Sequence, residues 1–194
     1  MDYHIISAVA LGIAVSACCG FRIFVPMFAA AIAAHNHWYS VTADMQWLSS
    51  LPAIICFGTA ALVEIVAYYF PFLDNMLDAI ATPLAIAAGT ILAFAIIPLQ
   101  NQDPLLRWVA AVIAGGATAG TIHIGTGLLR LFSTKATLGT GNPVLATGEN
   151  GIAITISVLS FIIPVIVAVV LLVVVCWIVY KGIRRLSTGK GKTL

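Results

Sequence analysis

Apolar residues run through this 194-residue chain in long blocks divided by short polar stretches. A membrane-crossing helix needs about 20 such residues to cover a hydrocarbon core of about 30 Å. The first block, 5–34, would be about 45 Å long as a single helix at 1.5 Å per residue, so it must tilt, break or protrude. Its expected weak point is 18–26, where Gly20 and Pro26 flank Arg22 and the proline removes an amide donor. A polar, aromatic connection follows (His35, Asn36, His37, Trp38, Tyr39, then Trp47), suited to a membrane interface. The second block, 48–72, carries Glu64.

Residues 71–80 place Asp74 and Asp78 four apart, on one helical face beside Leu73, Met76 and Leu77, and predict a short surface helix whose acids are solvated. A third span covers 79–98. The turn-forming run 99–104 leads into a fourth, 105–132, rich in Gly and Ala. Small residues let helices approach closely in lipid, so this helix is expected to be central. Residues 133–150 read as a shaped hydrophilic loop. The final block, 151–180, again exceeds one simple span and contains Pro164. Gly12-Ile13-Ala14-Val15-Ser16 ahead of Pro26 is echoed by Gly151-Ile152-Ala153-Ile154-Thr155 ahead of Pro164, the mark of a repeat or of chance in an apolar chain; inverted repeats with broken helices mark many transporters.

Composition agrees: 61% of residues are hydrophobic and 8% charged, against roughly 25% charged in soluble domains, and the mean hydropathy is +1.09. The predicted fold is all-α, a polytopic transmembrane bundle of about five segments whose first and last are broken or re-entrant. One membrane domain is expected over 1–182, with a basic tail over 183–194. The opening residues lack a basic region and the first block is too long for a signal-peptide core of about 7–15 residues, so it is expected to remain as a membrane segment. Lys181, Arg184, Arg185, Lys190 and Lys192 crowd the C-terminus, which places that end in the cytoplasm; five spans then put the N-terminus outside, and one extra re-entrant crossing reverses it. The tail reads as a topology anchor, with no nucleic-acid partner.

The candidates for chemistry are few. Arg22 lies deep in an apolar block, where a central arginine costs about 2.5–3.5 kcal/mol on insertion scales, unless a broken helix lets it reach an interface. Glu64 must be protonated or paired, most simply with Arg22, and serves either structure or proton coupling. His123 and Arg130 stand two turns apart on one face that continues toward Lys135, and with the Gly139-Thr140-Gly141-Asn142 run they form a cationic track for an anion or lipid headgroup, or pack without a role. Glu149 and Asn150 precede the last apolar run as helix caps. Cys18 and Cys19 resemble the vicinal pair on the first membrane helix of mercuric-ion carriers, an alternative soft-metal site, although Cys56 and Cys176 stand alone and packing thiols are the default. No phosphate loop, HExxH or GxSxG motif is present, so no enzymatic activity and no cofactor are expected.

The segment 17–26 (ACCGFRIFVP), Val63-Glu64 before Pro71 and Asp74, His123 with Arg130, and Gly141-Asn142-Pro143-Val144 before Glu149 together resemble a bacterial integral membrane family described only as a domain of unknown function. The resemblance spans most of the chain and implies a pattern without a mechanism. That family more often carries an acid where this chain has Asn150, which speaks against a paired acidic site. The leading expectation is a bacterial inner-membrane transporter or channel-like protein, homo-oligomeric and in contact with lipid. It would move a small anionic solute or ion, or a lipid-like substrate, through a site of Arg22, Glu64, His123, Arg130, Asn142 and Glu149. The alternatives are a non-transporting scaffold that binds a partner through the Gly-rich helix and tail, and soft-metal transport.

Overall fold

The computed structural model describes residues 3–99, 101–137 and 140–189, apart from the side chains of 71–76, 78, 79 and 185–189. Asp74, Asp78, Gly139, Arg185, Lys190 and Lys192 therefore fall outside the described side chains. The described chain is an all-α bundle without strands. Its helices are α1 (Tyr3–Cys18), α2 (Phe24–His35), α3 (Leu51–Ala67), α4 (Pro71–Ile96), α5 (Pro104–Ala111), α6 (Ala117–Thr137), α7 (Asn142–Ile162) and α8 (Pro164–Gly189). A 3-10 turn, Ala43–Ser49, precedes α3, and a π segment, Val112–Gly116, joins α5 to α6 as one long helix.

Three of these helical stretches are long and apolar enough to cross a membrane: Pro104–Thr137, Asn142–Ile162 and Pro164–Arg184. The 3-10 turn and α3, bent by 63° at Ser50, make a fourth when the pair is counted as one span. Local chemistry sets the starts. Ser50 accepts a bond from the Ala53 amide at 3.3 Å and Asp103 one from Leu105 at 2.9 Å, each with a proline in the first turn behind it, where a missing amide costs nothing.

The first apolar block does break, and it doubles back. Tyr3 and Ser7 of α1 line the same groove as His37 and Tyr39 after α2, Ile96 and Pro98 at the end of α4, and Phe161 and Pro164 where α7 gives way to α8. Both ends of the α1–α2 hairpin thus lie on one face of the bundle. From that face α3, α5–α6 and α8 run to the opposite face, and α4 and α7 return. On the opposite face Tyr69 meets Thr147 at 3.0 Å, and Phe132 and Lys181 line one groove.

The hairpin turns within Cys19–Ile23, where four consecutive amides bond back into the end of α1. Gly20 sits there because nothing larger fits: a Cβ would lie 2.5 Å from the Ala119 carbonyl oxygen and 2.6 Å from Ile122 Cβ. Pro26 corrects the sequence reading. It falls in the first turn of α2, so it starts a helix and does not break one. Pro164 separates two spans: it opens α8, and Ile163 before it leaves helical geometry (φ −133°, ψ 60°), as a residue preceding proline tends to. The block 151–180 is thus the end of one crossing and most of another. The echoed sequences sit midway along α1 and α7, which run in opposite directions.

Two further expectations are overturned. Residues 133–150 are largely helical, because α6 continues to Thr137 and α7 begins at Asn142; their polar residues belong to helix ends and to a buried cluster. Residues 71–80 are not a separate surface helix but the first turns of α4. The close approach expected of the Gly-rich helix is observed, on its side toward α4. A Cβ on Gly115 would overlap the Gly89 carbonyl of α4, and one on Gly116 would approach Thr90 Oγ1 to 2.5 Å, so two backbones touch where a side chain would separate them.

Candidate functional site

The tip of the hairpin carries Arg22 into the bundle, 1% exposed. Its Nη1 donates to Glu149 Oε2 at 3.0 Å, its Nε to Asn150 Oδ1 and its Nη2 to the Ala146 carbonyl at 3.2 Å. Ala146, Glu149 and Asn150 lie three and four residues apart and so share one face of α7. Arg130, near the end of α6, reaches the same carboxylate: Nε donates to Glu149 Oε1 at 3.2 Å and Nη2 to Oε2. Both guanidiniums also stack on the ring of Tyr68, at 3.9 Å from its centroid for Arg22 and 4.3 Å for Arg130. Two cations therefore share one carboxylate and one aromatic ring, and all four side chains are buried.

Glu64 is not the partner of Arg22, contrary to the simplest reading of the sequence. Its two oxygens accept the amides of Ile23 at 2.8 Å and Phe24 at 2.9 Å, the free donors at the start of α2. The first amides of a helix have no partner within it and carry partial positive charge, so an anchored carboxylate there answers both needs. α3 thereby clasps the hairpin tip. Among the described residues Arg22 and Arg130 share the carboxylate of Glu149, while the carboxylate of Glu64 is engaged by a helix N-terminus.

The other predicted residues divide. His123 is buried beside the tip, with Nδ1 3.2 Å from the Gly20 carbonyl, where it supports the turn. Lys135 is exposed at the end of α6. Asn142 lies away from the cluster and exchanges bonds with Thr134, the shorter at 3.1 Å. Glu149 and Asn150 are no caps: α7 starts seven residues before Glu149, and no side chain caps it. Cys18 and Cys19 are fully buried but diverge, Cys18 into the cluster with α8 residues Val167 and Leu171, Cys19 into the one with Leu92 of α4. Among the described residues no three His, Cys, Asp or Glu side chains gather as metal ligands.

Tyr68 was missed, although it stands one turn after Glu64, a spacing that puts both on one helical face. The Oδ1 of Asn150 is taken by Arg22, and its buried Nδ2 finds no hydrogen-bond partner among the described residues.

The family described as "Domain of unknown function (DUF4126)" matches residues 9–184. The chain belongs to this family. The match runs from α1 through most of α8 and takes in every residue of the DUF4126 cluster, from Arg22 to Asn150. No curated protein and no solved structure matches the chain.

Proposed function

We propose that this DUF4126 protein is a small membrane transporter that moves an anionic solute, or the anionic headgroup of a lipid, with Arg22 and Arg130 as its binding pair. One observation carries the reading: two buried guanidiniums and the Glu149 carboxylate meet at the tip of a doubled-back helix. Taking each of these charges out of water costs several kcal/mol of desolvation, and such intramembrane charges mark transport pathways by default.

In this reading Glu149 holds the place of the transported anion. An incoming carboxylate or phosphate, or a proton on Glu149, loosens the tie between α7 and the hairpin. The tip then moves with α2, whose first amides Glu64 grips. Proton coupling follows from the same exchange.

Lys135, Lys181 and Arg184 lie at the face where α6 and α8 end, which favours the cytoplasmic side of a bacterial inner membrane for that face; the N-terminal face is then outside. Assembly as a homo-oligomer belongs to the reading, and no enzymatic step does. The scaffold alternative relies on the Gly-rich helix, yet Gly115, Gly116 and Gly120 are spent on α4 within the protomer. The soft-metal alternative relies on thiols that point apart.

The test is reconstitution in proteoliposomes, with flip of headgroup-labelled phosphatidylglycerol and efflux of chloride, phosphate and succinate as readouts. Arg22→Ala, Arg130→Gln and Glu64→Gln are expected to abolish whichever flux the wild type supports. Unchanged flux in all three folded variants overturns the site. Absence of any flux together with stoichiometric capture of a partner favours the scaffold.

A further inference from the structure

A second feature lies on the outside of the bundle, where α6 and α8 run side by side in the same direction and leave a groove of about 240 Å³ between them. Its walls are apolar, with Phe21, Ile122, Leu129 and Phe132 on one side and Val174 and Trp177 on the other. Gly125 lets the helices close at depth, since a Cβ there would meet Ile178 Cδ1 at 2.8 Å. At the mouth stands Lys181, whose Nζ lies 4.6 Å from the centroid of the Trp177 ring.

From Ile122 to Phe132 the groove follows ten residues of α6, about 15 Å along the axis. That is the depth of one leaflet, half of a hydrocarbon core of about 30 Å. The mouth is at the end of α8 that carries the basic residues. An open apolar slot one leaflet deep, closed at its polar end by an ammonium, has the charge and length of a single amphiphile.

We propose that this groove binds one acyl chain of an anionic phospholipid whose phosphate rests on Lys181. The assignment is independent of the transport reading, because none of the groove's polar contacts uses Arg22, Arg130 or Glu149. Phe21 joins the two places: it lines the groove and precedes Arg22 in the hairpin tip, so an occupied groove braces the tip from the lipid side.

The experiment uses the full chain in nanodiscs of phosphatidylglycerol mixed with phosphatidylcholine of the same acyl chains. Retained lipid is counted by native mass spectrometry after release. The wild type is expected to keep one phosphatidylglycerol in preference to phosphatidylcholine. Lys181→Gln should lose that preference by about fivefold, the worth of one basic residue at an anionic surface. Gly182→Leu, at a position where a Cβ meets nothing within 4 Å, should fill the mouth and retain neither lipid without disturbing the fold. A photo-crosslinking residue at position 129 should capture lipid. Equal phosphatidylglycerol retention by wild type and Lys181→Gln, or capture of a second copy of the chain at position 129, overturns the proposal. Because Lys181→Gln leaves the arginine pair intact, loss of lipid preference and loss of flux are separable.

Discussion

Replacing Glu149 by glutamine removes the carboxylate that Arg22 and Arg130 share while keeping its shape. The two guanidinium carbons lie 3.9 and 4.3 Å from one ring centroid, so they are no more than about 8 Å apart. At an effective dielectric of about 20 their repulsion is at least about 2 kcal/mol, and the loss of a buried partner costs about 3–5 kcal/mol. The single variant should therefore lose about 3–5 kcal/mol of stability. Removing one cation as well should return about 2 kcal/mol of it, so Arg130→Gln/Glu149→Gln should be more stable than Glu149→Gln alone. Reversible unfolding in mixed micelles, followed by tryptophan fluorescence, measures all three. A single variant within about 1 kcal/mol of wild type, or a double variant whose losses simply add, would refute the shared-carboxylate argument.

Other outcomes follow from the same contacts. Gly20→Ala forces a Cβ against the Ala119 carbonyl and should cost about 1–3 kcal/mol by overpacking; Gly127→Ala, which meets nothing within 4 Å, should be neutral or gain up to about 1 kcal/mol in the same unfolding assay. Glu64→Gln sets an amide donor against one of the two α2 amides and should cost about 1–3 kcal/mol, with faster hydrogen exchange at Ile23 and Phe24. In a background without native cysteines, Tyr3→Cys and Ser40→Cys should label from the same side of the membrane with an impermeant maleimide; labelling from opposite sides contradicts the doubled-back path of α1 and α2.

The membrane bundle was legible because block length and charge scarcity decide it, and Arg22 announced itself by the cost of its position. What the sequence hid was direction. Gly20 and Pro26 marked a break in the first block, but only the wedge of Gly20 against Ala119 and the clasp of Glu64 on Ile23 and Phe24 turn that break into a hairpin. Charge matching along the chain paired Arg22 with Glu64, since both lie in apolar blocks. It could not anticipate that a backbone terminus would claim Glu64. Glu149 was misplaced for a related reason: the polarity of 133–150 is that of a loop, whereas Glu149 and Asn150 serve the buried face of α7.

The central claim is that Arg22 and Arg130 form a place for an anion that Glu149 fills at rest. Its most direct measurement is anion rescue of Glu149→Ala: purified protein titrated with formate, acetate or phosphate at fixed ionic strength, with melting temperature as the readout. The account predicts a saturable rise for Glu149→Ala, by binding to the folded state alone, with no rise for the wild type or for Arg22→Gln/Glu149→Ala. A Glu149→Ala protein that melts at the same temperature whatever the anion would contradict it.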